Sequence, residues 1–442
     1  MGREENAMLM NSNEYLHIVE SIKQEIRTAQ YRAAVSVNRE LLILYHSIGE
    51  VINAHKTWGS KFVENLAADI KLSFPDATGY SVRNLKYMAK FALRFPDKEI
   101  VQAALAQITW YHHIALMDKV KNADEHIWYA EQAAQNGWSR NVLVHLLELQ
   151  PHTDANGNTV AGLSFDDLRT KYIYKLSEYT RRNVIAYYSG WLKPLKSQNI
   201  DINDSDITGF MNAIKGLDPD KGLDLILHTP GGNPTATEGI VKYLHSKFKD
   251  DIRVIVPQMS MSAGTMLACS AKTIIMGKHS CLGPIDPQYG GVPAYNIVNE
   301  FREAKDDLDR NIDAKTYWEL QLKKYPAAFF YTVMDAINLS SQLASDWLIQ
   351  YMFSGEEPVA AKKKATKIVK KLNANNKSHS RHFTVDFCKE LGLNITELES
   401  DQTLQELVLS VHHAFIITID ATAATKLIEN QNGARYITSQ KK

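Results

Sequence analysis

Four short apolar runs, Val184 to Tyr188, Leu223 to His228, Ile252 to Val256 and Thr273 to Met276, are separated by segments of helical periodicity such as Thr235 to Lys249. Runs of that length and composition suit strands buried on both faces, and their alternation with helices predicts a parallel sheet in an α/β domain. The pattern upstream is different. Between Glu14 and Leu149, Ile18, Ile22 and Ile26 recur at four-residue spacing, and Leu41, Leu42, Tyr45 and Ile48 continue an apolar face. Breaks at Trp58-Gly59, Phe74-Pro75, Phe95-Pro96 and Asn136-Gly137 divide this region into a bundle of about six helices. The polar stretch Pro151 to Thr159 has the composition of a linker. The expected architecture is therefore multidomain, with an all-α domain over 14–150, a linker over 151–167 and an α/β domain over 168–430. A helical elaboration is expected from Ile297 through Met352, then a lysine-rich segment and a final helix from Gln402 to Asn430.

The 442-residue chain balances 50 basic against 50 acidic side chains, so net charge gives no reason to expect nucleic acid or an anionic membrane as the main partner. Cys269, Cys281 and Cys388 form no C-x-x-C pair, which argues against a disulfide framework or a zinc site and fits a reducing compartment. Met1 to Asn6 lacks a secretory pattern, and no apolar run is long enough to cross a bilayer. A soluble, cytoplasmic protein that needs no metal or cofactor is expected, and the absence of a Walker A sequence leaves any ATP-driven step to a separate partner.

Chemistry concentrates in two turns. The strand ending at His228 runs into Thr229-Pro230-Gly231-Gly232, where unhindered glycine N–H groups can approach a carbonyl. The strand ending at Val256 runs into Met259-Ser260-Met261-Ser262-Ala263-Gly264-Thr265, where a serine at a strand-to-helix turn exposes its hydroxyl beside the N–H of Ala263. Ser262 is thus a candidate nucleophile, with Gly231, Gly232 and Ala263 as candidate oxyanion-hole donors. A serine hydroxyl also needs a base, which must itself be oriented. The competing reading of Ser262 is a helix N-cap.

Together with Leu282-Gly283-Pro284-Ile285-Asp286-Pro287-Gln288 and with Ser378-His379 ahead of Glu390-Leu391-Gly392-Leu393, these turns resemble the serine dehydrogenase proteinase family of Clp-like serine peptidases in the Clp/crotonase superfamily. The resemblance implies a peptidase with a peptide or protein substrate, Ser262 as nucleophile, His379 as general base and Asp286 as its orienting carboxylate, and assembly into homo-oligomers. Asp286 before Pro287 also suits a turn, and His382 competes with His379 on spacing. The family's usual Thr-His-Asp is Ser378-His379-Ser380 here. The rival base is a lysine, Lys305, Lys315 or Lys324, on the helices after Pro293, provided burial lowers its pKa. The alternative functions are a non-catalytic binding or regulatory protein on a Clp-like scaffold and a crotonase-like enzyme acting on acyl thioesters.

Residues Glu20 to Leu149 resemble the amino-terminal domain of YhcG-type nucleases through Trp58-Gly59, Gly79-Tyr80-Ser81-Val82-Arg83-Asn84-Leu85, Trp110, Trp128-Tyr129 and Asn136-Gly137-Trp138-Ser139, but no nuclease core follows. Ser81 can cap a helix on which Arg83, Lys86, Lys90 and Arg94 form one basic stripe, compatible with a DNA-reading helix or with an ordinary solvated face. DNA or a protein is the expected partner of this domain. The lysine-rich segment around Lys362-Lys363-Lys364 is read as a solvated helix leading toward the catalytic loop.

Overall fold

The computed structural model describes residues 37–55, 61–103, 105–153, 159–193, 199–373 and 380–440. The chain divides into two compact units, 1–150 and 151–442.

The described part of the first unit is helical. Helix α1 spans 37–54, followed by α2 (Phe62–Ser73), α3 (Val82–Arg94), α4 (Lys98–Ala103), α5 (Trp110–Lys119), α6 (Ala123–Asn136) and α7 (Arg140–Leu149). Local chemistry sets several of the ends. Ser81 caps α3 by accepting from the Asn84 N–H, Ser139 caps α7 in the same way, and Gly137 ends α6 in the left-handed conformation at φ 63°. One face of α3, Leu85, Met88, Phe91 and Ala92, is buried. Its aromatic ring packs edge-on to Trp110, with Phe91 at 5.3 Å.

The second unit is mixed α/β. In chain order it contains β1 (His152–Thr153), β2 (Thr159–Val160), α8 (Phe165–Thr180), β3 (Asn183–Ser189), α9 (Asp206–Ile214), β4 (Leu223–His228), α10 (Pro234–Phe248), β5 (Ile252–Val256), β6 (Met259–Ser260) and α11 (Ala263–Cys269). There follow β7 (Thr273–Met276), β8 (Cys281–Leu282), β9 (Gln288–Tyr289), β10 (Val292–Pro293), α12 (Ala294–Arg310), α13 (Lys315–Leu322), α14 (Phe329–Trp347), α15 (Pro358–Asn373), α16 (Val385–Leu391), β11 (Ile395–Glu397), α17 (Gln402–Ala421), β12 (Ala424–Asn430) and β13 (Arg435–Ser439). The main sheet has the order β11-β7-β5-β4-β3-β12-β13. It is parallel from β11 to β3, and β12 and β13 close it antiparallel.

Burial follows from this layering. Leu223, Leu225 and Leu227 of β4 point into the large core with Phe210 of α9, Leu244 of α10, Met266 of α11, Trp347 of α14 and Ile368 of α15. On the other face, the Tyr188 ring of β3 stacks on Phe415 of α17 at 4.3 Å. A smaller cluster of Ala294, Ile297, Val298, Val333 and Ile337 holds α12 against α14.

Two expectations need correction. The final helix ends at Ala421, and Ala424–Asn430 is a fully buried strand. Its Lys426 and Glu429, three apart, resemble an exposed helical charge pattern, yet they pair with Asp206 and Arg169 from far upstream. The stretch 151–167 is also not a bare linker, because His152 and Thr153 pair with Val160 and Thr159 and α8 begins at Phe165.

Candidate active site

The two sequence turns meet at the carboxy-terminal ends of β4 and β5. Backbone bonds join them: the Thr229 N–H donates to Met259 O at 3.2 Å and the Met261 N–H donates to Thr229 O at 3.0 Å. Ser262 follows at φ 50°, ψ −118°, directly before α11, with no side-chain cap bond. Ser262 thus occupies the N-cap position of α11 without its side chain capping the helix, and this conformation costs an L-residue on the order of 1–3 kcal/mol. Such a turn lifts the side chain off the backbone on either side of it and places the helix N-terminus behind it. Ser262 is half-buried, and its neighbours Met261 and Ala263 are buried.

Gly231 lies against this turn. At φ 99° it faces the serine so closely that a Cβ on it would stand 2.6 Å from the Ser262 Cβ and 2.8 Å from the Ala263 nitrogen. Its N–H donates to the Thr229 hydroxyl at 3.1 Å and its carbonyl accepts from the Ile202 N–H at 2.7 Å. Among the described residues no hydrogen bond takes up the N–H of Gly232 or of Ala263. Of the three expected oxyanion donors, Gly232 and Ala263 are open, and Gly231 is the residue whose missing side chain permits the approach.

Asp286 is buried at 4% exposure. Its segment is sewn to the Ser262 turn by Thr265, which is fully buried. The Thr265 hydroxyl donates to Ser260 O at 2.9 Å and accepts from the Gly283 N–H at 2.9 Å. The same segment is bonded to both flanks of 374–379, because the Ile285 N–H donates to Leu372 O at 3.1 Å and Leu282 exchanges two backbone bonds with Phe383. Burial, followed by the Asp286 carboxylate, raises the pKa of the Tyr295 phenol. His379 lies outside the described residues; His382 is exposed.

The lysine alternatives have the wrong setting. Lys305 is 74% exposed and paired with Asp309 at 2.5 Å, which raises its pKa, the opposite of what a lysine base needs. Lys315 pairs with Glu319 at 3.7 Å and Lys324 donates to Gln321 at 2.5 Å, both at exposed positions. His228 is fully buried beside Tyr188, Trp191 and His412, neither ring nitrogen has a hydrogen-bond partner among the described residues, and burial lowers its pKa to about 4. It is a core histidine on the face opposite the Leu225 layer. No group of three or more His, Cys, Asp or Glu among the described residues is arranged to hold a metal.

Residues 194–410 match the family model of the ClpP-like SDH-type serine proteinases, and residues 21–153 match that of the DUF1016 N-terminal domain. Over that range the carboxy-terminal unit is similar to the ClpP-like SDH-type serine proteinases. These are the two families to which the sequence motifs pointed. The chain is also similar to two uncharacterized proteins of Methanocaldococcus jannaschii. One, MJ0137, is 34% identical over 210 residues, covering 47% of this chain and 65% of the relative. The other, MJ1495, is 30% identical over 197 residues, covering 44% and 59%. The chain thus spans less than two thirds of the length of either relative. No solved structure matches it.

In the DUF1016-type unit the basic stripe is only partly available. Arg94 is half-buried and bonds to Leu116 O, to Met117 O and, at 3.1 Å, to the His126 Nδ1. Lys90 donates to Met117 O at 2.6 Å and stands 3.8 Å from Asp118. Both tie α3 to the end of α5, which leaves Arg83 and Lys86 as exposed cations on that face. No helix among the described residues is long and apolar enough to cross a membrane.

The sequence reading missed the residues that hold these turns: Thr229, Thr265 and the Ile202 backbone. A threonine beside each glycine-containing turn was the available signal for the first two. Ile202 carries none, since its role lies in main-chain groups.

Proposed function

We propose that this protein is a serine peptidase in which Ser262 attacks a peptide carbonyl, the N–H groups of Gly232 and Ala263 receive the oxyanion, the C–N bond breaks as the amine leaves with the proton taken from Ser262, and water later hydrolyses the acyl-enzyme. The observation that carries this reading is the strained positive φ of Ser262 against Gly231, beside two uncommitted backbone N–H groups. His379 serves as the general base and Asp286 orients it. Supporting that assignment, Asp286 is buried on a segment bonded both to Thr265 behind the nucleophile and to Leu372 and Phe383 on either side of 374–379. An imidazole suits a proton shuttle near neutral pH, and the lysines offered as alternatives are exposed.

The test is labelling of the full chain by a fluorophosphonate probe, with the modified residue located by mass spectrometry. Labelling at Ser262 that disappears in Ser262→Ala and falls strongly in His379→Ala, but persists in Lys305→Ala, Lys315→Ala and Lys324→Ala, is the expected result. Absence of labelling in the wild type favours a scaffold without an activated serine.

A further inference from the structure

We propose that the buried Lys426–Asp206 pair consists of positioning residues for the oxyanion turn, acting on Gly232 through the 201–203 segment. The inference rests on the serine-peptidase reading of Ser262 and extends it to the antiparallel side of the sheet. Both side chains are 0% exposed, with Lys426 Nζ 2.7 Å from Asp206 Oδ1. A buried ion pair is a poor source of stability, since desolvation offsets most of its attraction, so its placement calls for another account.

The remaining bonds of the pair supply one. Lys426 Nζ also donates to Asp201 O at 2.7 Å, and Asp206 Oδ2 accepts from the Asn203 N–H at 3.1 Å. The two charges therefore grip the residues on either side of Ile202. Ile202 in turn donates its N–H to Gly231 O at 2.7 Å and accepts from the Asn233 N–H at 2.8 Å, a parallel bridge centred on Gly232. Gly232, at φ 153°, sits so close to the Ile202 backbone that a Cβ would collide with it. A trans peptide is planar, with its C=O and N–H opposed. Pinning the Gly231 carbonyl on Ile202 thus turns the Gly232 N–H away from Ile202 and fixes its direction.

A second bond holds the same carboxylate. The Tyr187 hydroxyl donates to Asp206 Oδ2 at 2.9 Å, so the oxygen that accepts the Asn203 N–H is itself held from β3. The Gly231 carbonyl is thereby anchored, through Ile202 and Asn203, to one buried carboxylate, while its N–H is held locally by the Thr229 hydroxyl. Electrostatic stabilisation of an oxyanion depends on donors that are already oriented, so the pair sets how well Gly232 performs.

The experiment compares the full chain with the double variant Lys426→Met/Asp206→Leu, which removes both charges together and so avoids leaving one buried alone, and with Tyr187→Phe. The rate constant and the half-saturating concentration of fluorophosphonate labelling at Ser262 are measured separately, alongside thermal stability and hydrogen exchange of peptides covering 199–236. Expected for the double variant are a folded protein, a labelling rate constant lower by roughly ten- to a hundredfold, an unchanged half-saturating concentration, and faster exchange at 202, 231 and 233. Tyr187→Phe should lose less, in the same rate constant. A wild-type rate constant in either folded variant would overturn the proposal. If the wild type itself does not label, the serine-peptidase reading fails, and exchange decides the anchoring separately: protection at 202, 231 and 233 unchanged in the double variant refutes it.

Discussion

An L-serine held at φ 50°, ψ −118° is strained by on the order of 1–3 kcal/mol, and only a residue tolerant of positive φ relieves that strain. Ser262→Gly should therefore be more stable than Ser262→Ala by about 1 kcal/mol after allowance for the freer unfolded glycine, although both abolish labelling. Equal thermal midpoints for the two variants would remove the strain from the account. His228 gives a second prediction at this scale. Its folded pKa of about 4 lies below the ordinary 6.5, so on acidification the unfolded chain takes up a proton first. The stability that this group contributes is intact above about pH 6.5 and is lost progressively as the pH falls toward 4. His228→Phe should flatten the acid limb of the stability profile in that window by roughly 1 kcal/mol per pH unit, measured by denaturant unfolding. The cysteines are buried, which pushes Cys269 and Cys388 up to about 12 and Cys281 to about 11. They should resist a thiol reagent until the protein unfolds.

Among the elements, α11 and the β8 segment depend on one hydroxyl. Thr265→Val keeps the shape but leaves Ser260 O and the Gly283 N–H without their partner, at a cost of about 2 kcal/mol. Because Gly283 precedes Asp286, labelling at Ser262 should fall as well, whereas Thr265→Ser should restore both. A variant that labels normally would detach the Asp286 segment from the chemistry. What was legible in the sequence also divides at this scale. The strands at 184–188, 223–228, 252–256 and 273–276 announced themselves because each is an apolar run between breakers, and the structure extends the first and adopts the other three with the same ends. Strand β12 did not, because Lys426 and Glu429 interrupt its apolar pattern. Their partners, Asp206 and Arg169, lie 220 and 260 residues away, and no local window contains that information. The Ser262 turn was legible because its glycine and serine spacing is local. The bonds that hold the Gly231 turn beside it were not, since they run through main-chain groups of Ile202.

Across the whole molecule, the cores of the two units share no residue, and Ser262, Gly232, Ala263, Asp286 and His379 all fall within 151–442. A chain reduced to 151–442 should accordingly fold and label at Ser262, and loss of labelling on that truncation would assign the helical unit a part in the site. The sheet also centres on a carboxylate. Asp224, fully buried in β4, accepts from Arg182 Nε and Arg253 Nε at 2.7 Å and from Arg253 Nη2 at 2.7 Å. Asp224→Ala would leave two guanidinium groups without that partner at the edge of the core, with an expected loss of about 3 kcal/mol or more. Strand β12 has a consequence for the order in which the protein is made. During synthesis the nascent chain carries Thr229, Gly232 and Ser262 well before Lys426 emerges. Until then β3, seven buried residues long, is an unpaired edge and Asp206 lacks its cation. If Ser262 acts as proposed and Lys426 orients the oxyanion turn, competence is timed by translation, and the site stays unarmed among other nascent chains until the last buried strand is in place.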